Sequence, residues 1–347
     1  MTNQFARVER DIEGKTLILE TGRMAKQAHG ACLVTMGETV VLSTVCQGPV
    51  KDLPFFPMTV DYRERTAAAG KIPGGFFKRE GRPTLKEVIT MRMTDRSVRP
   101  FWPKGYKNDT MIQSIVFSAD NEADPDVLSM IGAFAAIEVS GLPFEGTMGG
   151  CRIGFRDGKP VAFPTIPDLK ADENLVNLVL SGTEDAIAMV ECQADELSEE
   201  DMISCLEHGH EVARTVVGMA KELAETAGTV RQDWEAPEVA HPLDGQDDAI
   251  KSRLKEALST KGKHAMDSAV GAVKDSLWED QGVANDDAGF KAARSAFGND
   301  FKGLEKKAIR EMVLSGTRID GRKSDEIRDI TGEVGLLPRT HGSALFT

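Results

Sequence analysis

Long apolar runs are missing from this 347-residue chain. The most apolar stretch, around Ile131 to Val139, is far too short to span a bilayer, so no membrane partner is expected. The opening MTNQFARVER is polar and lacks the apolar segment of a secretory signal, so no export is expected from it. Cysteine is scarce and odd in number, five residues (Cys32, Cys46, Cys151, Cys192 and Cys205) without metal-type spacing. They read as reduced thiols, which places the chain in the cytoplasm. Positive charge is also in deficit: 42 Lys and Arg face 55 Asp and Glu, a net of −13. A general coating of nucleic acid is excluded by that balance.

The deficit is not uniform. Residues 1–110 hold 18 Lys/Arg and 12 Asp/Glu, a local balance of +6, which leaves −19 for the remainder. The whole of that excess falls in Arg63 to Lys107, with 12 Lys/Arg against Glu64, Glu80, Glu87 and Asp95, a local +8. Inside it Gly74-Gly75 lead into Phe76-Phe77, then Lys78, Arg79, Arg82 and Pro83. Aromatic faces beside cations on a glycine-freed backbone are what a sequence-tolerant binder of single strands requires. A buried strand flanked by a solvated cationic face fits the composition equally; the glycine pair favours a loop.

A content of 41% hydrophobic and 28% charged residues fits a soluble protein of two or three domains. Residues 4–62 read as short strands punctuated by glycine, the rhythm of a β-meander. Pro83 is placed in the first turn of a helix through Val98, with Leu85, Ile89, Arg92, Arg96 and Arg99 on one stripe. That stripe is either a phosphate-contacting row (Arg92, Arg96, Arg99) or an ion-pair network built on Asp95. Asp120, Glu122, Asp124 and Asp126 alternate like a calcium loop, but Pro125 holds the turn position and no closing glutamate follows. Asp124 therefore reads as the N-cap of a helix to Ser140, whose small residues suit close packing on a sheet. A hairpin turning at Asp157-Gly158 and two strands follow, then a long helix from Ser198 whose inner stripe runs Ile203, Leu206, His210, Ala213, Val217, Ala220 and Ala224. After Trp234 to Asp248, rich in Pro, Asp and Glu, residues 249–314 read as all-helical. His29–Thr35 and His341–Thr347 align at an offset of 312 and share His, Gly, Leu and Thr, a sign of a duplicated domain.

GGFFKREGRP followed by EVITMRMTDRSVRPFWPKGY resembles the first core domain of the bacterial polynucleotide phosphorylase (polyribonucleotide nucleotidyltransferase) family, phosphorolytic 3′→5′ exoribonucleases of RNA degradation. SGTRIDGRKSDEIRDITGEVGLLPRTHGSALFT is similar to the opening of that family's second core. The resemblance implies an α+β fold: a ribonuclease-PH-like core of mixed sheet and packed helices at 1–235, an all-helical domain at 240–316, and the truncated start of a second such core at 317–347. It implies nucleoside diphosphate release from RNA and inorganic phosphate, with Mg²⁺ held by residues beyond Thr347, and a homotrimer acting on single-stranded RNA. Phe76, Phe77, Lys78, Arg79 and Arg82 would line the RNA constriction; the family's first arginine after the phenylalanines is Lys78 here, which keeps the charge and loses the planar fork. No catalytic carboxylate pair and no metal ligand set is identified, since Asp61, Glu64 and Glu87 lack partners at ligand-like spacing. The fragment alone is therefore expected to be inactive. The alternative from another class is a non-catalytic RNA-binding and ring-assembly module.

Overall fold

The computed structural model describes residues 4–79, 81–238, 240–283 and 289–347; the side chains of Phe77 and Lys78 lie outside what is described. The chain is α+β and divides into two compact units, 1–236 and 237–347.

In the first unit, β1 (Ala6–Ile12), β2 (Lys15–Thr21), β3 (Gly30–Met36) and β4 (Thr39–Val50) form the expected antiparallel meander. Beyond β5 (Met58–Glu64) the chain makes two short helical turns, Thr66–Ala69 and α1 (Phe76–Arg79), before α2 (Leu85–Val98). It then enters β6 (Asn108–Ser118), which pairs antiparallel with β4 and parallel with β5, giving a sheet ordered β1-β2-β3-β4-β6-β5. The strand expected from Pro54 begins only at Met58, because the two prolines at 54 and 57 withhold ladder donors.

Helix α3 (Pro125–Ser140) is the centre of this unit. It starts as its sequence signals: Asp124 accepts from the Asp126 N–H, and Pro125 opens the first turn. Fourteen of its sixteen residues are buried, so it must be covered on all sides. It lies on β3 and β4 so closely that a Cβ at Gly30 would stand 2.0 Å from the Ala136 carbonyl oxygen. One at Gly132 would stand 2.6 Å from Ser43 Oγ. Above it sits a second sheet ordered β10-β9-β7-β8, built from β7 (Gly149–Arg156), β8 (Lys159–Ala162), β9 (Val176–Gly182) and β10 (Ile187–Ala194). Asp157 and Gly158 turn the β7–β8 hairpin with φ of 51° and 72°, the pair of positive values a tight hairpin needs. A single turn, α4 (Ile166–Leu169), precedes β9, and α5 (Glu199–Thr226) closes the layer behind Ser198, which accepts from the Asp201 N–H.

The stripe expected on α5 is rotated in its first turns. Cys205, Gly209, Val212, Val216 and Leu223 are buried with Ala213, Val217 and Ala220, whereas Ile203 is exposed. Glycine and cysteine carry the contact with β7, so the apolar pattern misplaced its start. His210 Nε2 donates to the Thr183 carbonyl at 3.0 Å, and His208 meets Glu13 at 2.6 Å; the two rings diverge.

The second unit holds α6 (Asp247–Leu258), α7 (Lys263–Glu279) and α8 (Phe290–Leu314), followed by a small hairpin of β11 (Gly332–Val334) and β12 (Ala344–Phe346). Its core is Leu243, Ile250, Leu254, Leu258, Leu277, Phe297, Phe301, Leu304, Ala308 and Met312. Val313, near the end of α8, is exposed.

One polar network runs through the first unit's interior. Arg152 on β7 is buried, bonded to Asp126 at 2.6 Å and to Asn177, with Asp124 at 3.5 Å. Burial, with Asp124 adjacent, pushes Asp126 above the usual carboxylate range against the pull of Arg152. Arg152→Met is expected to cost about 3–5 kcal/mol in urea denaturation, because it strands a buried carboxylate. That deficit should narrow as pH falls, since protonating Asp126 removes the uncompensated charge. Among the thiols, burial pushes Cys32 up to about 12 and Cys205 up to about 11, while Cys46 and Cys192 are exposed. A disulfide-exchange reagent should therefore titrate Cys46 and Cys192 in the native chain, and Cys32, Cys151 and Cys205 only after unfolding.

Candidate nucleic-acid interface

The cationic stretch maps onto the connection from β5 through residues 65–83 to α2. Pro83, expected in the first turn of α2, lies outside it, and Thr84 is the N-cap: its Oγ1 accepts from the Glu87 N–H at 3.2 Å, and Glu87 Oε2 accepts from the Thr84 N–H at 2.6 Å. Pro83 stands just before this reciprocal cap. At the far end of the connection, Gly74-Gly75 precede one helical turn in place of the expected loop. A Cβ at Gly75 would meet nothing within 4 Å, so close packing does not explain that glycine. Phe76 is 64% exposed at the start of this turn and is not part of any strand core. Arg79 and Arg82 are exposed, and the Arg79 carbonyl accepts from Arg65 at 3.2 Å. The side chains of Phe77 and Lys78 lie outside the described residues.

The α2 stripe read from the sequence faces outward. Glu87, Thr90, Met93, Thr94, Ser97 and Val98 form the buried side instead. That side packs through hydrogen bonds, Ser97 Oγ to Ser181 Oγ at 2.7 Å among them, which is why hydrophobicity did not reveal it. The three arginines of the stripe then separate. Arg99 pairs with Asp95 at 2.5 Å and donates to the Phe56 and Met58 carbonyls at 3.1 Å each, so its guanidinium anchors β5. Arg96 pairs with exposed Glu191 at 2.6 Å. Arg92 makes no ion pair among the described residues. Arg92 and Arg96 line a hollow of about 370 Å³ with Val60, Met91 and Asp95. Since Asp95 is committed to Arg99, the hollow keeps a cationic wall.

Pairing sorts the remaining cations. Arg63 meets Asp61, and Lys86 meets both Glu64 and Asp124. Lys71, Arg79 and Arg82 make no ion pair among the described residues, so the excess positive charge is concentrated on the 65–83 connection and at Arg92. Burial works against the charge on Lys86, but Asp124 and Glu64 raise its pKa, so it stays charged. These ties were not foreseen. A T-x-x-E pattern at Thr84–Glu87 was the available signal, and Asp124 and Arg152 have no pattern that joins them.

No group of three or more His, Cys, Asp or Glu suited to a metal is found among the described residues. Asp61, Glu64 and Glu87, the acids nearest the cationic stretch, are all engaged: Asp61 with Arg63, Glu64 with Tyr62 and Lys86, Glu87 with two backbone N–H groups. A second hollow of about 330 Å³ between the β1–β2 turn and residues 120–123 is lined by Lys15, Asp120, Glu122 and Phe163. Two of these polar groups, Lys15 and Asp120, are already engaged. Lys15 donates to the Ala162 carbonyl, and Asp120 accepts from Thr39 and from the Glu38, Glu122 and Ala123 N–H groups.

Comparison with known proteins matches this architecture in order. A model described as 3′ exoribonuclease family, domain 1, matches residues 13–143, and the family's domain 2 model matches 146–212. A model described as polyribonucleotide nucleotidyltransferase, RNA binding domain, matches 247–323. The polyribonucleotide nucleotidyltransferase of Rhodopirellula baltica is 43% identical over 347 residues, covering 100% of this chain and 46% of that protein. That of Thermomicrobium roseum is 44% identical over 351 residues, covering 98% and 44%. That of Mesorhizobium japonicum is also 44% identical over 351 residues, covering 100% and 48%. The chain spans about half the length of the curated relatives it matches. It belongs to the 3′ exoribonuclease family, and within that family it groups with the polyribonucleotide nucleotidyltransferases.

Proposed function

We propose that this chain is the RNA-handling half of a phosphorolytic 3′→5′ exoribonuclease, a polyribonucleotide nucleotidyltransferase that releases nucleoside diphosphates from RNA and inorganic phosphate. The observation that carries this reading is the match of the whole chain to relatives bearing that name. The site's chemistry supports it: an exposed ring and unpaired cations on one connection suit a strand with flat bases and a phosphate chain. In this reading Phe76, Phe77, Lys78, Arg79 and Arg82 contact single-stranded RNA. Arg92 and Arg96 meet its phosphates at the hollow beside β5, and Arg99 holds the strand behind them. Residues 1–235 are a ribonuclease-PH-like core, 240–316 the helical domain, and 317–347 the opening of a second core. Subunits assemble as a homotrimer in the cytoplasm, the compartment that suits five unpaired thiols.

Phosphorolysis sets inorganic phosphate against a phosphodiester, so two anions must be held together while charge shifts to the leaving oxygen. Mg²⁺, where the parent enzyme binds it, would neutralise that charge. The described acids of this chain do not fit as its ligands, because each one near the cations is already bonded to a base or a backbone donor. What this chain supplies is binding and orientation of the strand.

The parent enzyme incubated with poly(A) and phosphate should release ADP; AMP release independent of phosphate would overturn the assignment. The 347-residue chain alone should bind oligo(A) in a salt-sensitive way without turnover. Replacing Phe76, Phe77 and Arg79 together by alanine should weaken that binding at least tenfold, stacking being worth about 1–3 kcal/mol per base. Equal binding by this variant, measured by fluorescence anisotropy, would remove the loop from the interface.

A further inference from the structure

The connection that carries Phe76 and Arg79 leaves the sheet after Glu64, the last residue of β5, and returns at Thr84, the cap of α2. A single buried carboxylate joins the two points. Glu87 is 7% exposed; its Oε2 accepts from the Thr84 N–H at 2.6 Å and its Oε1 from the Glu64 N–H at 3.0 Å. Capping explains the first bond. It does not explain the second, which reaches a residue 23 positions away on another element. A charged acceptor shared by two backbone donors is a strong tie, and here it closes the neck of the 19-residue connection 65–83.

Neighbouring groups reinforce the same neck. Lys86 Nζ lies 2.9 Å from Glu64 Oε1 and 2.8 Å from Asp124 Oδ1, and Tyr62, itself buried, donates its hydroxyl proton to Glu64 at 2.7 Å. Farther out, Arg65 crosses the connection to the Arg79 carbonyl at 3.2 Å. Between neck and tip the residues that face solvent include Ile72, 95% exposed. Among the described residues of 65–83 none is buried; the connection is held where its stems are joined and at Ala68, whose carbonyl accepts from the Ala119 N–H at 3.0 Å.

We propose that Glu87 is a positioning residue for RNA binding. It touches no RNA. By locking the stems of the 65–83 connection it fixes the angle at which Phe76, Arg79 and Arg82 stand off β5 and α2, and so raises the fraction of chains whose tip is ready for a strand. The inference rests on the reading that this connection contacts RNA.

Glu87→Gln tests it, since an amide has one acceptor oxygen and cannot serve both stems. The 347-residue chain, the Glu87→Gln variant, the tip variant Phe76→Ala/Arg79→Ala and the combination are compared for oligo(A) affinity by fluorescence anisotropy, alongside thermal melting. Glu87→Gln should weaken binding about tenfold, as expected when the competent fraction drops about tenfold. In the Glu87→Gln background the tip substitutions should cost much less than they do alone, because the tip is already misplaced. Thr84→Ala, which removes the helix cap while leaving the Glu64 tie, should bind nearly as the parent does. Should Glu87→Gln fail to fold, Glu87→Asp takes its place: it keeps the charge and is one methylene short of spanning both stems.

Three results decide the matter. Unchanged affinity in Glu87→Gln beside a weakened tip variant would overturn the positioning role and spare the RNA-contact reading. Losses that simply multiply in the combined variant, or an equal loss in Thr84→Ala, would reduce Glu87 to a structural residue. A tip variant that binds as tightly as the parent would remove the RNA-contact reading, and the inference with it.

Discussion

One run of charge, buried at Arg152 and Asp126 and reaching the surface at Lys86 and Glu64, ties the first unit together. It begins at Arg152 on β7, passes to Asp126 and Asp124 at the start of α3, crosses to Lys86 at the start of α2, and ends at Glu64 on β5. Each link joins elements far apart in sequence, so the chain of bonds forms only when both sheets and both helices are in place. Buried ion pairs of this kind rarely add net stability over apolar packing, yet breaking one is costly because it strands the partner. Their effect is to specify an arrangement. Here the arrangement specified is the approach of the second sheet to the N-terminal end of α3 and, through Lys86, the place where the cationic connection is rooted.

That root explains how a local excess of positive charge survives on an acidic protein. A cation close to the body finds an acid: Arg63, Lys86, Arg96 and Arg99 each do. Cations carried outward on the 65–83 connection, Lys71, Arg79 and Arg82, make no ion pair among the described residues, while Glu64 and Glu87 at its two ends are turned back to hold the neck.

Local signals made much of the fold legible. The meander of β1 to β4, the Asp124-Pro125 start of α3 and the Asp157-Gly158 turn each follow from short-range stereochemistry that the residues state openly. On α2 the buried face is largely polar, with Thr90, Thr94 and Ser97, so hydrophobic periodicity pointed to the wrong side; on α5 Ala213, Val217, Ala220 and Ala224 are buried as expected, and only the first turns, where Cys205 and Gly209 are buried and Ile203 is exposed, are turned away from the expected stripe. The cationic connection was legible because its residues are unusual together. Its support was not, since Glu87, Lys86, Asp124 and Arg152 act across 22 to 38 positions of sequence and pattern reading sees only neighbours. Reading Thr84-x-x-Glu87 as a reciprocal cap would have placed the helix start correctly. Nothing in it announces that the glutamate's other oxygen serves a strand.

The exposed surface beside the cations carries the last step. Ile72, Phe76, Leu85 and Ile89 all face water on or next to the connection, at 95%, 64%, 76% and 43% exposure. Apolar area left in water forgoes about 25 cal/mol per Å² that burial would return, and scattered single residues of this kind need no explanation. A group of four within 18 residues, interleaved with Lys71, Arg79, Arg82 and Arg92, is not scattered. A lipid surface would take the apolar groups and the charge, but it would not need them held on a connection with a locked neck. A purely anionic ligand would take the charge and leave the rings in water. A single nucleic-acid strand presents base faces and phosphates at short, regular intervals, so its chemistry uses both halves of this surface, which is what the proposed contact requires.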